Sequence, residues 1–238
     1  MKGLWKKFNI KGFKEASLLE WYGKLASVLF LGNCNFRCPF CHARSLVLES
    51  DKLENVPFEK IAGYLTAKKA WIDGVAITGG EIFLHEWLGD LIDEIKKLSF
   101  PVMIETNGSF PGKIKALLDK KIIDYISMDI KSPLEKYKLA TGVDVNTNDI
   151  QKSINIIMSS GVDYEFRTTV VPQIIDKQDI AQIAGLIRGA KRLCLQQFFP
   201  VDTIDAAYMK VKPYPKEILT DMAKEAGKLV DIVEIKNI

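Results

Sequence analysis

The stretch "SVLFLGNCNFRCPFCHAR", residues 27–44, decides how the chain is read. Its first five residues form a short apolar run of the length and composition of a buried strand. Cys34, Cys38 and Cys41 follow within eight positions, while the rest of the chain holds only Cys194. The thiols therefore stand on a loop leaving a strand. Thiols so concentrated can pair, close a metal site, or hold a metal centre with one position open. The spacing C-x3-C-x2-C suits three thiolates wrapping one cubane iron–sulfur cluster, which normally takes four cysteines. One iron would then lack a protein ligand and be open to an exogenous molecule. A structural zinc site is the alternative and needs a fourth ligand from His42 or Cys194. His42 directly follows Cys41, an awkward spacing for joining the same tetrahedron.

Outward from that loop, short β-branched runs alternate with longer amphipathic segments, the pattern of consecutive βα units around a parallel sheet. Strands are expected at Ser27–Leu31, Gly74–Thr78, Pro101–Glu105, Asp124–Ile130, Asp163–Val171 and Arg192–Phe198, with a seventh in "LVDIVEI". Helices are expected near Pro57–Ala67, His85–Leu98, Pro111–Asp119, Asp149–Ser159, Lys177–Arg188 and Pro215–Lys228. The unusual residues follow the strands: the cysteine loop, then "TGGE", then "TNGS", then Asp129 and Lys131 in "SMDIKSP". Parallel α/β folds gather the carboxyl ends of their strands at one face, where ligands bind, so these distant pieces are expected to converge.

Composition bounds the function without naming it. The 238 residues are 47% hydrophobic and 26% charged, enough for one ordinary globular domain. A net charge of +3 is too small to argue for nucleic acid or a membrane surface. No apolar run approaches the roughly 20 residues that span a bilayer, and the first residues lack the apolar core of a secretion signal. A cytosolic location is expected. Disulfides are rare there, and clustered cysteines mean metal or redox chemistry more often.

"CNFRCPFC", with Phe40 before its last cysteine, resembles the cluster motif of the radical S-adenosylmethionine enzymes. "GKLASVLFLGNCNFRCPFCHA", "ITGGE", "ETNGS", "YISMDIKSP" and "FRTTVVP" resemble, in order, segments of its glycyl-radical-enzyme activating branch. Within that branch the likeness is greatest to the activating proteins of anaerobic ribonucleoside-triphosphate reductases, and it covers about residues 16–200. Departures are "GGEI" for "GGEP", "ETNG" for "DTNG", "EWYGK" for "DYPGK" and "CHA" for "CHN"; none removes a cluster ligand.

The resemblance implies a partial (β/α)6 barrel with parallel strands and outer helices. It would form one domain over 1–238, with the cluster loop at 32–44 and a C-terminal helix and strand at about 215–236. Cys34, Cys38 and Cys41 would hold one 4Fe-4S cluster, with S-adenosylmethionine chelating the open iron through its amino and carboxylate groups. Cys194 alone cannot build a second all-cysteine cubane. A low-potential donor such as flavodoxin or ferredoxin would reduce the cluster. Carbon–sulfur cleavage would then give methionine and a 5'-deoxyadenosyl radical, which takes the α hydrogen of a glycine in a partner glycyl radical enzyme. No nucleic acid or membrane is implied. Two rivals stand beside this: an enzyme acting on a small molecule, resembling 7-carboxy-7-deazaguanine synthase, and an iron–sulfur or zinc-binding module without turnover.

The remaining candidates fit that ligand, each with a structural alternative. Gly79 and Gly80 let backbone approach a ligand, or make a tight strand-to-helix turn. In the family the segment, with Glu81, receives the methionine amino group. Lys131 suits the ligand carboxylate, while Glu105 and Asp129 suit its polar groups or a monovalent cation; the alternative is an ion-pair network. Asn107 and Gly108 shape a turn. Arg167 lies in an apolar strand and needs a partner, either the ligand, as in the family, or a carboxylate. Gln196 or Gln197, with Gln197 preferred, faces the cofactor. Phe40 and His42 belong to the cluster environment, His85 begins a helix, and Cys194 is a small core residue. Lys2, Lys6, Lys7, Lys11 and Lys14 form a solvated face or a dock for an acidic partner.

Overall fold

The structure, a computed structural model, describes residues 8–237. They divide into two compact units. One comprises the chain through Asn35 with Ser45–Thr106 and Lys115–Ile126; the other comprises Phe36–Arg44, Asn107–Ile114 and the chain from Ser127 onward.

In the first unit, β1 (Ile10–Ser17) lies antiparallel to β2 (Ala26–Leu31). On the other side of β2 come β3 (Gly74–Gly79) and β4 (Val102–Thr106), both parallel, with Leu31 opposite Gly79 and Ile77 opposite Ile104. These three parallel strands are buried along most of their length, as expected for strands covered on both faces. A core of Trp21, Ala26, Val28, Ala76, Met103 and Tyr125 packs there, with the Trp21 and Tyr125 rings 5.7 Å apart. Beyond the short α1 (Arg44–Leu48), helix α2 (Phe58–Ala67) buries Phe58, Ile61, Ala62 and Leu65. Helix α3 (Leu88–Lys97) buries Leu88, Leu91, Ile92 and Ile95. Both follow the spacing that puts one helical stripe on a sheet. Helix α4 (Pro111–Lys120) and strand β5 (Tyr125–Asp129) have residues in both units.

In the second unit, β6 (Asp163–Val170), β7 (Arg192–Gln197) and β8 (Ile232–Lys236) are parallel, and Arg167, Cys194 and Glu234 stand in one row across them. The helices are α5 (Tyr137–Thr141), α6 (Thr147–Ser159), α7 (Lys177–Leu186) and α8 (Lys216–Ala226). Asp176 and Asp179 form a reciprocal capping box at the start of α7.

The α/β class, with mostly parallel strands and helices between them, is as expected, and six of the seven anticipated strands lie within one residue of their expected ends. Strand β1 and helices α1 and α5 were not anticipated. Helix α3 begins at Leu88 rather than at His85, which instead closes the tight turn at Ile82–Leu84. Among the described residues no helix is long and apolar enough to cross a membrane. Of the amino-terminal lysines, Lys2, Lys6 and Lys7 lie outside the described residues. Lys11 donates to the Leu53 carbonyl (3.0 Å) and Lys14 to the Ser17 hydroxyl (2.9 Å).

Candidate active site

In the first unit the end of β3 is bound to the backbone that leads to Cys34. The Gly80 N–H donates to the Leu31 carbonyl and the Glu81 N–H to the Asn33 carbonyl, both at 2.8 Å. Gly79 has φ +124°, and a Cβ there would lie 2.2 Å from the Leu31 oxygen; one on Gly80 would lie 1.8 Å from the Asn33 oxygen. The space left by the two missing side chains is thus filled by the chain itself. The buried Glu81 carboxylate accepts the Phe83 N–H (3.1 Å) and the Thr106 hydroxyl (2.9 Å). Next to Thr106, Glu105 accepts the Thr78 hydroxyl at 2.9 Å. A ring nitrogen of His85 lies 2.9 Å from the Gly32 carbonyl, just ahead of the cysteine loop.

The second unit carries Cys38, Phe40, Cys41 and His42. The Cys41 N–H donates to the Cys38 carbonyl at 3.0 Å and closes the turn between them. Segment 204–205 covers that turn: the Ile204 N–H donates to the Cys41 carbonyl (3.1 Å) and the Asp205 N–H to that of Pro39 (2.9 Å). Phe40 is buried 6.5 Å from the Tyr208 ring, whereas His42 is exposed. Lys131 is paired with Asp129 at 2.7 Å. Burial opposes the Lys131 charge, but the Asp129 carboxylate and then Cys38 outweigh it and hold the ammonium well above its ordinary pKa. Burial pushes the Cys41 thiol up, against the Ala43 N–H and then Lys131, which pull it down. Cys38, Cys41, Asp129 and Lys131 thus share one electrostatic neighbourhood within this unit.

Asn107 accepts both the Ser109 N–H (3.0 Å) and its hydroxyl (2.6 Å), the turn expected of it. Gly108, at φ +78°, has the Met128 methyl where a Cβ would be, at 2.0 Å. Arg167, only 2% exposed, donates to the fully buried Glu165 at 2.5 Å, so the partner its burial requires is a carboxylate two residues back on the same strand face. Lys236 stands 3.9 Å from the same oxygen. The amide nitrogen of Gln197 donates to the Tyr214 carbonyl at 2.7 Å, while its side-chain oxygen is buried without a hydrogen-bond partner.

The donor set suits an iron–sulfur centre better than closed zinc. None of the four cysteines is in a disulfide, and no three His, Cys, Asp or Glu side chains among the described residues form a preformed single-ion site. Of the two fourth ligands zinc would recruit, His42 is exposed and Cys194 is buried in mid-strand, its thiol pushed up to about 12 by burial. A thiol so held is a poor metal ligand at neutral pH.

Thr78, Thr106 and Glu165 join the site residues expected from the sequence. Two-residue alternation along β6 pairs Glu165 with Arg167, and the hydroxyls of Thr78 and Thr106 stand beside residues already singled out.

The family model "Radical SAM superfamily" matches residues 28–187. A Methanocaldococcus jannaschii protein named "Putative glycyl-radical enzyme activating enzyme" is 34% identical over 96% of this chain and 96% of its own. The pyruvate formate-lyase-activating enzyme of Clostridium pasteurianum is 27% identical over 82% of this chain and 83% of its own. Among solved structures, Streptococcus suis SuiB bound to S-adenosylmethionine superposes with a TM-score of 0.61 at 17% identity, over 87% of this chain, which spans about half (51%) of SuiB. That last likeness speaks for the fold. The chain belongs to the radical SAM superfamily of enzymes, whose cofactors are a 4Fe-4S cluster and S-adenosylmethionine.

Proposed function

We propose that this chain activates a glycyl radical enzyme, an anaerobic ribonucleotide reductase or a related one. It works in the reducing cytoplasm with a low-potential donor such as flavodoxin or ferredoxin. The observation that carries this reading is the 34% identity, spread over 96% of both chains, to a protein named for that activity. Three cysteines outside any disulfide in one loop, with Cys194 alone elsewhere in the sequence, agree with an enzyme of one cluster. When bound, the cluster and S-adenosylmethionine would supply reductive carbon–sulfur cleavage and hydrogen-atom abstraction from the partner's glycine.

The chain's own residues hold and shield. Cys34, Cys38 and Cys41 would hold the cluster. Lys131, charged at any physiological pH, offers an ammonium to the methionine carboxylate. Asp129 keeps that ammonium in place at 2.7 Å. Buried Phe40 keeps water from the turn between Cys38 and Cys41. Gly79, Gly80 and Glu81 fix the approach of the chain to Cys34 and present backbone to the methionine amino group.

The test is anaerobic. Iron and sulfide are reconstituted, dithionite and S-adenosylmethionine are added, and 5'-deoxyadenosine is quantified for the wild type and Cys38→Ala. The expected result is product that depends on Cys38. A fully loaded wild type that releases none, or releases it only with a small metabolite, would overturn the proposal.

A further inference from the structure

Helix α5 belongs to no motif, yet it ties together two parts of the second unit. At its carboxyl end the Thr141 carbonyl accepts the N–H of Arg37, the residue before Cys38, at 2.8 Å. The next residue, Gly142, has φ +70°, and a Cβ there would lie 2.3 Å from the Arg37 carbonyl oxygen. The end of α5 thus accepts the Arg37 N–H and lies close against the Arg37 carbonyl. At its amino end the buried Tyr137 hydroxyl accepts the Lys131 N–H at 3.3 Å. Between them, the Thr141 hydroxyl donates to the Tyr137 carbonyl at 2.7 Å and lies 3.0 Å from that of Val143. This ties the helix ends to each other.

We infer that α5 is a clamp that fixes Cys38 relative to the Asp129–Lys131 pair, with Tyr137 and Gly142 as positioning residues for the bound S-adenosylmethionine. The inference rests on the proposed function, since it takes Cys38 as a cluster ligand and Lys131 as a cofactor contact. A five-residue helix is too short to be stable alone, so its persistence depends on these contacts. Gly142 serves close approach as well as its positive φ. Asparagine tolerates that φ but still carries a Cβ, so it gives no relief from the contact with Arg37.

The experiment uses reconstituted holoprotein and measures iron per chain, the electron paramagnetic resonance spectrum of the reduced cluster with and without S-adenosylmethionine, and the Kd for S-adenosylmethionine. Tyr137→Phe removes one hydroxyl at nearly constant volume. It should keep its iron and raise the Kd about three- to tenfold. Gly142→Ala and Gly142→Asn should alter the spectrum alike, whereas Leu139→Ala, on the exposed side of the helix, should leave every readout as in the wild type. Wild-type affinity in Tyr137→Phe, or a wild-type spectrum in Gly142→Asn, would overturn the clamp. Should the Gly142 variants fail to load iron, Tyr137→Phe decides. A wild type that itself fails to bind S-adenosylmethionine would instead sink the functional reading, and the clamp with it.

Discussion

Gly80→Ala tests whether the paired glycines are there for the chain or for a ligand. The added Cβ would meet the Asn33 carbonyl oxygen at 1.8 Å and its carbon at 2.6 Å. The first distance is about 1.5 Å inside ordinary contact, and the obstacle is backbone, which cannot rotate away. Separating the segments breaks the bonds from the Gly80 and Glu81 N–H groups to Leu31 and Asn33. Each is worth about 0.5–1.5 kcal/mol, and an orphaned buried group costs about 1–3 kcal/mol more. The loss comes to about 3 kcal/mol or more, equivalent to a fall in Tm of roughly 6–12 °C for a chain of this size. Circular dichroism melts, with and without cluster, read it directly. Gly63→Ala is the control: Gly63 lies within α2 with nothing near its would-be Cβ, so alanine should stabilise by up to about 1 kcal/mol. If Gly80→Ala melts with the wild type in both states, the packing argument is wrong and the glycines serve a ligand alone.

Three further outcomes follow from buried groups. Arg167→Met should cost up to about 3–5 kcal/mol in urea unfolding, because buried Glu165 loses its closest partner and keeps the more distant Lys236 at 3.9 Å, and Glu165→Gln in the same chain should recover part of it; a loss under about 1 kcal/mol would refute the pairing. Thr106→Val removes a hydroxyl donor from the Glu81 carboxylate and should cost about 1.5–3 kcal/mol, whereas an unchanged urea midpoint would mean the bond contributes nothing. Cys194 is raised from 9.0 to about 12 in the fold, so the unfolded chain loses this proton first as pH rises. Its contribution is complete below about pH 9 and is lost as pH climbs towards about 12. Cys194→Ala should flatten that alkaline fall without changing iron content; a lost cluster would show that Cys194 is a ligand after all.

Much of this was legible in the sequence because the parallel strands are short, apolar and followed by conspicuous residues. Strand β1 was not, since "IKGFKEAS" is a lysine-bearing edge strand whose middle faces outward. Helices α1 and α5, five residues each, are too short to display a 3.6-residue period. His85 looked like a helix start because apolar residues follow it, but its ring is held by the Gly32 carbonyl. Paired glycines after a strand announce close approach without saying to what. Here the answer is the Leu31–Asn33 backbone, a contact across more than forty residues that no local pattern encodes. Arg167 announced only that it needs a partner, and two-residue alternation along β6 supplies Glu165.

The most direct test of the central claim follows the hydrogen atom. An anaerobic ribonucleotide reductase is made with α-dideuterated glycine and incubated with the reconstituted protein, dithionite and S-adenosylmethionine. Radical transfer to the partner predicts one deuterium in the released 5'-deoxyadenosine and a glycyl radical signal in the reductase, both absent with Cys38→Ala. Unlabelled 5'-deoxyadenosine and no radical, from protein that turns over only with a small metabolite, would contradict the account.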